Sequence, residues 1–328
     1  MKSKENIGNV EKDRNSKLIG FFKKVWHWYR EYRKRQKEKR KKPQTFGETV
    51  VSWAKTIVGA LIIVMFINGF LVASFVVPTG SMENTVMTGD FLFVNKFIYG
   101  PTTPQIIPFL NIPLPYIKFP GPRTPQRGDV IVFVYPGDRD EVKPREFQYY
   151  LKRCIAIAGD TLQIINKKVY VNGIEFPLPQ TGKYDYSEPL SPYNKWETFP
   201  PGRGYTRDNY GPIRIPKKGD TLYLDARNWR EWEYFIRKEG HEIFFDGSFV
   251  YIDGKPTNFY IVSRNYCFAM GDNRDHSSDS RYWGFVPYEN VVGAPLIVYM
   301  SWDTNIPLYN IVEKIKSIRW ERIGKTIH

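Results

Sequence analysis

The feature that most constrains this chain is a stretch of 22 residues, 56–77, without a charged side chain. As an α-helix it would be about 33 Å long, which matches the hydrocarbon core of a lipid bilayer. Apolar side chains would cover every side of this helix, whereas a surface helix of a soluble domain is apolar on one side only. We therefore predict a transmembrane helix over residues 51–77, and a fully buried helix of a soluble domain is the alternative.

The positive charge of the chain is concentrated before this stretch. Residues 1–45 contain 16 Lys and Arg against 5 Asp and Glu, within a total net charge of +14. Because basic flanks stay on the cytoplasmic side of a membrane, residues 1–48 are predicted to be a cytoplasmic tail, followed by one crossing and an extracytoplasmic remainder. Attraction to anionic lipid explains the charge better than nucleic-acid binding does, so we expect a bilayer as partner and no nucleic acid.

Within the tail, apolar residues recur at helical spacing over residues 18–32, with Lys and Arg between them. This pattern predicts an amphipathic helix that lies on the inner leaflet. A helix packed on a partner protein would show the same pattern, and the sequence does not separate the two.

Short runs rich in β-branched and aromatic residues follow the apolar stretch and are separated by Gly-Asp and Asn-Gly turns. They include residues 90–99, 129–135, 149–158 and 168–173. Such runs are typical of β-strands. We expect a mostly β fold, in which residues 78–174 and 261–328 form the core and residues 175–260 form a β-rich insertion. Cys154 and Cys267 lie in strand-like apolar runs. The sequence leaves two alternatives for them, a disulfide bond or two free buried thiols.

Two residues suggest chemistry. Ser81 lies in the sequence PTGSM just after the apolar stretch, and Lys152 lies within an apolar strand-like run. A lysine in a dry environment loses its proton near neutral pH and can act as a general base for a serine nucleophile. Each residue alone is ordinary, since Pro-Thr-Gly-Ser forms turns and most lysines reach solvent. Together they predict a Ser/Lys hydrolase that works at the bilayer surface.

Other hydrolase classes fit less well. Of four histidines, only His241 and His276 lie in the extracytoplasmic part away from the last residue, so a histidine triad remains an alternative. There is no HExxH motif and no CxxC pair, which argues against a zinc hydrolase. We expect neither a metal nor an organic cofactor.

Four segments in order resemble the sequence boxes of the bacterial type I signal peptidases (leader peptidases, peptidase S26). They are SM at residues 81–82, RGDVIVF at 127–133, YLKR at 150–153 and GDNRDHSSDSRYWGFVP at 271–287. The resemblance implies a signal-peptidase-like catalytic β-sheet core. It also implies a serine endopeptidase anchored in the bacterial cytoplasmic membrane, which cleaves the signal peptides of exported preproteins after small residues of the Ala-x-Ala type.

The resemblance assigns roles to individual residues of this chain. Ser81 would be the nucleophile and Lys152 the general base, and Ser277 would orient the lysine amine. The Thr79 hydroxyl and the Ser81 N–H would form the oxyanion hole. Two ion pairs, Asp272 with Arg153 and Asp279 with Arg281, would brace the site. Three apolar side chains would line shallow substrate pockets: Met82, Val86 and Leu151.

The chain departs from the common pattern of that family at two places near the serine. Thr79 stands where Ser is frequent, and Glu83 with Asn84 replaces the usual step that ends in Pro. Two rival classes remain. One is a self-cleaving repressor of the Ser/Lys type, which needs a DNA-binding domain, and the other is a membrane-tethered β-domain without activity. The oligomeric state and the particular preproteins are left open.

Overall fold

The computed structural model describes residues 45–103, 106–107, 112–185 and 197–328, together with 24, 26–31 and 34. Two compact units divide the chain, Met1–Ile62 and Ile63–His328. Of the amphipathic helix predicted over residues 18–32, residues 24 and 26–31 are helical, and the others lie outside the described residues.

The apolar stretch contains one long helix, α1, at Phe46–Phe70. A capping box starts it, because the Thr45 hydroxyl accepts from the Glu48 N–H and the Glu48 carboxylate accepts from the Thr45 N–H, each at 3.3 Å. The helix has 25 residues and contains an 18-residue window with a mean hydropathy of 2.2, so it is long and apolar enough to cross a membrane.

The elements are numbered in chain order. The further helices are α2 (Trp229–Lys238), α3 (Ser280–Trp283) and α4 (Ile311–Lys316). The strands are β1 (Val72–Val76), β2 (Asp90–Asn95), β3 (Ile106–Ile107), β4 (Ile112–Pro113), β5 (Val130–Val134), β6 (Tyr149–Ala156), β7 (Thr161–Ile165), β8 (Lys168–Val171), β9 (Ile174–Glu175), β10 (Tyr210–Arg214), β11 (Thr221–Tyr223), β12 (Ile243–Phe245), β13 (Val250–Ile252), β14 (Lys255–Thr257), β15 (Phe259–Ile261), β16 (Tyr266–Met270), β17 (Val286–Pro287) and β18 (Val291–Ser301).

The predicted end of the membrane helix at residue 77 is wrong. The helix ends at Phe70, and the next residues form β1, which pairs antiparallel with β2 from Val72 opposite Asn95 to Val76 opposite Phe91. The sequence VASFV is so apolar that hydropathy alone does not separate it from the preceding helix. Its β-branched and aromatic residues, however, favour a strand. The charge-free stretch therefore divides into a helix of membrane-spanning length and an outer strand of the main sheet.

The main sheet has seven strands in the order β1-β2-β18-β5-β6-β16-β17. Strand β5 is buried along its whole length, and its even-numbered and odd-numbered residues belong to two different apolar clusters. Because side chains alternate along a strand, this sheet carries a core on each face. Lys152 on β6 lies opposite Ile131 of β5 and therefore projects from the same face of the sheet as Ile131. The apolar cluster on that face contains Ile131 and the free, buried Cys154 and Cys267.

The predicted insertion at residues 175–260 is rich in strands but does not pack as a separate layer. Its β10 pairs with β7 in a sheet of order β10-β7-β8-β9, and one apolar cluster draws on both parts of the chain. Helix α2 was not predicted, because nine of its ten residues are charged or aromatic and the apolar face is too short to give a clear helical period. Phe235 and Ile236 form that buried face.

A buried ion pair fastens the C-terminal segment to the start of β2. The Arg322 guanidinium donates to both carboxylate oxygens of Asp90 at 2.6–3.0 Å, and the Ser301 hydroxyl donates to the same carboxylate at 2.7 Å. Asp90 is fully buried. Removing the arginine would leave that charge without its partner.

We predict that Arg322→Met lowers the free energy of unfolding by about 3–5 kcal/mol, as is usual when one member of a buried pair is lost. Arg227→Met is the control, since its pair with Asp225 is exposed and should contribute less than about 1 kcal/mol. Urea denaturation of the detergent-solubilised protein measures both. Equal losses for the two variants would contradict the prediction.

Candidate active site

Ser81 lies on a series of turns between β1 and β2. The two strands are closed around these turns by hydrogen bonds between the Val77 N–H and the Asp90 carbonyl and between the Gly89 N–H and the Val77 carbonyl, both at 2.9 Å. The Ser81 carbonyl accepts from the Asn273 N–H at 3.0 Å. The serine is half-buried. Through the hydrogen bond from Asn273, its backbone is held by a residue that is distant in the sequence.

Lys152 meets this serine from β6. Its Nζ lies 2.6 Å from the Ser81 Oγ and donates a second hydrogen bond to the Leu151 carbonyl at 3.2 Å. The side chain is only 4% exposed. Burial lowers the pKa of the Lys152 amine from 10.5 to about 8, although the charges of Asp279 and Asp272 oppose this shift. Near pH 8 a large fraction of this amine is therefore neutral and able to accept a proton.

The Thr79 hydroxyl and the Ser81 N–H lie on the same turn. The Thr79 Oγ1 is exposed and lies 3.4 Å from the Ser81 Oγ. Among the described residues, the Ser81 N–H donates to no other group. Both donors are thus available to a ligand oxygen placed beside the serine.

Ser277 does not make the hydrogen bond to Lys152 that the resemblance implies. Its hydroxyl is buried, and its near neighbour is the Asp279 carboxylate and not the Lys152 amine. The Lys152 amine instead uses the Ser81 hydroxyl and the Leu151 carbonyl. Ser277 packs so closely on Gly271 that a Cβ there would lie 2.2 Å from its Oγ and 2.5 Å from the Ser81 carbonyl oxygen. Only glycine fits at that position.

The structure brings Arg153 and Asp272 together in a buried, two-pronged ion pair. The Arg153 Nε and a terminal nitrogen donate to the two carboxylate oxygens at 2.8 and 2.7 Å. The Thr85 hydroxyl donates to the same carboxylate at 2.5 Å. This pair joins β6, which carries Lys152, to the segment that follows β16.

Asp279 and Arg281 form a second buried pair. The Arg281 guanidinium donates to both carboxylate oxygens at 2.8 Å, and the Gly271 N–H donates at 3.1 Å. Burial opposes ionisation of Asp279, but the charge and hydrogen bonds of Arg281 outweigh it and hold the pKa of that carboxyl below its ordinary value. Asp279 also accepts from the Arg281 N–H and thereby starts α3.

The expectation that Met82 and Val86 line a substrate pocket is wrong for this structure. Both side chains point into the apolar cluster beneath the serine turn and are 1% and 0% exposed. Leu151 packs on the edge of the same cluster and remains partly exposed. Sequence alone gives these residues as apolar but does not give the direction of their side chains.

The described residues offer no histidine to Ser81, whose side-chain partners are Lys152 and Thr79. The His241 ring instead contacts the Asp253 carboxylate at 2.6 Å. No group of three or more metal-binding side chains occurs within the described ranges. Asn273 also contacts the serine turn. This contact was not predicted from the sequence, because the roles in the motif were assigned to the charged neighbours of Asn273.

The comparisons with known proteins show which family the chain belongs to. The family model described as "Signal peptidase, peptidase S26" matches residues 50–302. A Signal peptidase I of Helicobacter pylori strain J99 is 30% identical over 301 residues, which cover 86% of this chain and 94% of the relative. A Signal peptidase I of Rickettsia felis is 30% identical over 279 residues, covering 81% and 89%.

A solved crystal structure of a signal peptidase I from Enterococcus faecalis V583 is 20% identical. It covers 52% of this chain and 97% of its own, with a TM-score of 0.23, which is too low to support an argument from shared geometry.

Proposed function

Because the chain belongs to the signal peptidase family, peptidase S26, we propose that its serine protease activity on signal peptides uses Ser81 as nucleophile and Lys152 as general base. The observation that carries this proposal is the 2.6 Å contact between the Ser81 Oγ and a buried amine whose pKa is lowered to about 8. An exposed lysine would remain protonated at neutral pH and would have no proton-accepting capacity.

In the proposed mechanism, the neutral Lys152 amine takes the hydroxyl proton as the Ser81 Oγ attacks the scissile carbonyl carbon. The tetrahedral intermediate collapses when the lysine ammonium gives that proton to the leaving amine, and an ester to Ser81 remains. The neutral Lys152 amine then deprotonates a water molecule, which attacks the ester carbonyl. The lysine ammonium returns this proton to the Ser81 Oγ as the acyl–oxygen bond breaks, and the signal peptide leaves with a free carboxyl group.

The negative oxygen of the tetrahedral intermediate needs hydrogen-bond donors. We assign this role to the Ser81 N–H and the Thr79 hydroxyl, since both lie on the serine turn and neither is committed to a strong bond. We assign the buried Ser277 hydroxyl to the second N–H of the neutral Lys152 amine, because the Leu151 carbonyl uses the first and the nitrogen lone pair faces Ser81. The two buried ion pairs would keep these groups in place.

For the substrate, we propose cleavage after small residues of the Ala-x-Ala type. Leu151 is partly exposed beside Lys152 and can contact a small side chain, whereas Met82 and Val86 support the floor from below. For the location, we propose that helix α1 crosses the bacterial cytoplasmic membrane with the basic tail in the cytoplasm, which follows the distribution of Lys and Arg. The catalytic part would then face exported preproteins.

The activity can be tested by incubating the detergent-solubilised protein with a preprotein and sequencing the new N-terminus. We expect cleavage after Ala at the last position of the signal peptide and much slower cleavage when this residue is Leu. Ser81→Ala should abolish cleavage, while Ser278→Ala is the control because Ser278 is an exposed serine of the nearby motif. Cleavage by the Ser81→Ala variant would refute the proposed nucleophile.

The oxyanion role of Thr79 gives a separate prediction. Thr79→Val keeps the shape but loses the hydroxyl, so it should lower kcat by about 10²–10³ with little change in KM. Thr79→Ser keeps the donor and should retain most of the activity. Steady-state kinetics on a signal-peptide substrate compares the two. Equal rates for Val and Ser would mean that Thr79 shapes the turn and does not bind the oxyanion.

A further inference from the structure

The side-chain amide of Asn273 holds the peptide group just before the nucleophile. Its Nδ2 donates to the Gly80 carbonyl at 3.1 Å, and its backbone N–H donates to the Ser81 carbonyl at 3.0 Å. Asn273 is 5% exposed, so water competes little for these bonds. Asn273 thereby holds the carbonyl oxygens of two successive peptide groups, that of Gly80 and that of Ser81.

Fixing the Gly80 carbonyl also fixes the Ser81 N–H. A trans peptide group is planar, and its C=O and N–H bonds point in opposite directions. Rotation of this group would swing the Ser81 N–H away from the substrate oxygen. The Gly80 carbonyl also accepts from the Glu83 N–H at 3.0 Å within the turn. The bond from Asn273 adds to this restraint, because rotation would make the carbonyl give up both partners.

Glu83 determines which side of the Asn273 amide faces Gly80. Its Oε2 accepts from the same Asn273 Nδ2 at 3.3 Å. An ionised carboxylate only accepts hydrogen bonds, so it selects the NH₂ end of the amide and excludes the flipped arrangement, in which two oxygens would face each other. This glutamate is one of the positions at which the chain departs from the common family pattern.

Lys183 holds Glu83 in turn. Its Nζ donates to the Glu83 Oε2 at 2.7 Å, and both side chains are about two-fifths exposed, at 40% and 41%. The backbone of Lys183 is fixed as well, since its N–H donates to the Asp272 carbonyl at 2.9 Å and its carbonyl accepts from the Arg274 N–H at 3.1 Å. The lysine therefore reaches Glu83 from a backbone that pairs with both neighbours of Asn273.

We propose that Glu83, held by Lys183, positions the Ser81 N–H as oxyanion donor through Asn273. The inference rests on the proposed function and deepens it. Glu83, Lys183 and Asn273 are positioning residues, because none of them touches the reacting atoms. Their loss should weaken binding of the transition state while leaving binding of the substrate nearly unchanged.

The test uses full-length protein in detergent and a signal-peptide substrate. Glu83→Met removes the acceptor, and we expect kcat to fall about tenfold with KM within about twofold of the wild type. Glu83→Gln retains an acceptor and should restore kcat to within about threefold of the wild type. Lys168→Met is the matched control, since it breaks a more exposed Lys–Glu pair, with Glu175, far from these contacts in the chain and should leave kcat unchanged.

A second readout separates positioning from a general structural effect. A peptide aldehyde adds to Ser81 and places a negative oxygen in the oxyanion hole, so Glu83→Met should weaken its inhibition about tenfold, as it lowers kcat. The midpoint of the pH–rate profile should not move, because the Lys152 amine keeps its surroundings. Unchanged aldehyde inhibition, a wild-type kcat or a loss confined to KM would each overturn the inference.

The proposed function and the positioning role of Glu83 can be refuted separately. If the wild-type protein does not cut a preprotein, the proposed function is wrong. If the wild type cuts it and Glu83→Met cuts it equally fast, the proposed function stands and the positioning role of Glu83 is refuted.

Discussion

The site depends on the removal of the Lys152 amine from water. A charged ammonium loses its hydration in the apolar surroundings of β6, and this cost makes the neutral form accessible near pH 8. Asp272 and Asp279 lie close enough to favour the charged form, and unpaired they would raise the pKa further. Each of them is instead bound by an arginine in a buried ion pair. The arginines thus allow two carboxylates to brace the site without stabilising the ammonium so strongly that the neutral amine is lost.

Three distant parts of the chain converge on this amine. The serine turn comes from between β1 and β2, the lysine from β6, and the bracing segment from the end of β16. They approach so closely that Gly271 has no room for a side chain, since its Cβ would clash with Ser277 and with the Ser81 carbonyl. Such tight packing holds the Ser81 backbone against the segment that carries Gly271 and Ser277.

Much of this arrangement could be predicted from the sequence, because patterns along the chain report strands and ordered motifs report a family. The mostly β fold, the membrane-length helix and the proximity of Ser81 to Lys152 follow from such patterns. The end of the helix at Phe70 could not be predicted, because hydropathy does not distinguish a membrane helix from an apolar strand that continues it. Burial of Met82 depends on the direction of a side chain in a turn, and neither composition nor spacing gives that direction.

The contacts of Asn273 and Lys183 were missed for a different reason. They are made between segments about ninety to two hundred positions apart, and each involves side chains that are common at protein surfaces. In the sequence, Glu83 stands out only as a departure from the family pattern. Such a departure does not show which residue the glutamate contacts. The three-dimensional structure supplies that partner.

The central claim is that Lys152 is a neutral base in the working enzyme. It is tested most directly by an NMR titration of lysines labelled at the side-chain amine, with Lys152→Met used to assign the signal. The account predicts a midpoint near pH 8 for Lys152 and a kcat/KM that rises with pH through the same midpoint. A midpoint near the ordinary value of 10.5, or full activity in the Lys152→Met variant, would contradict it.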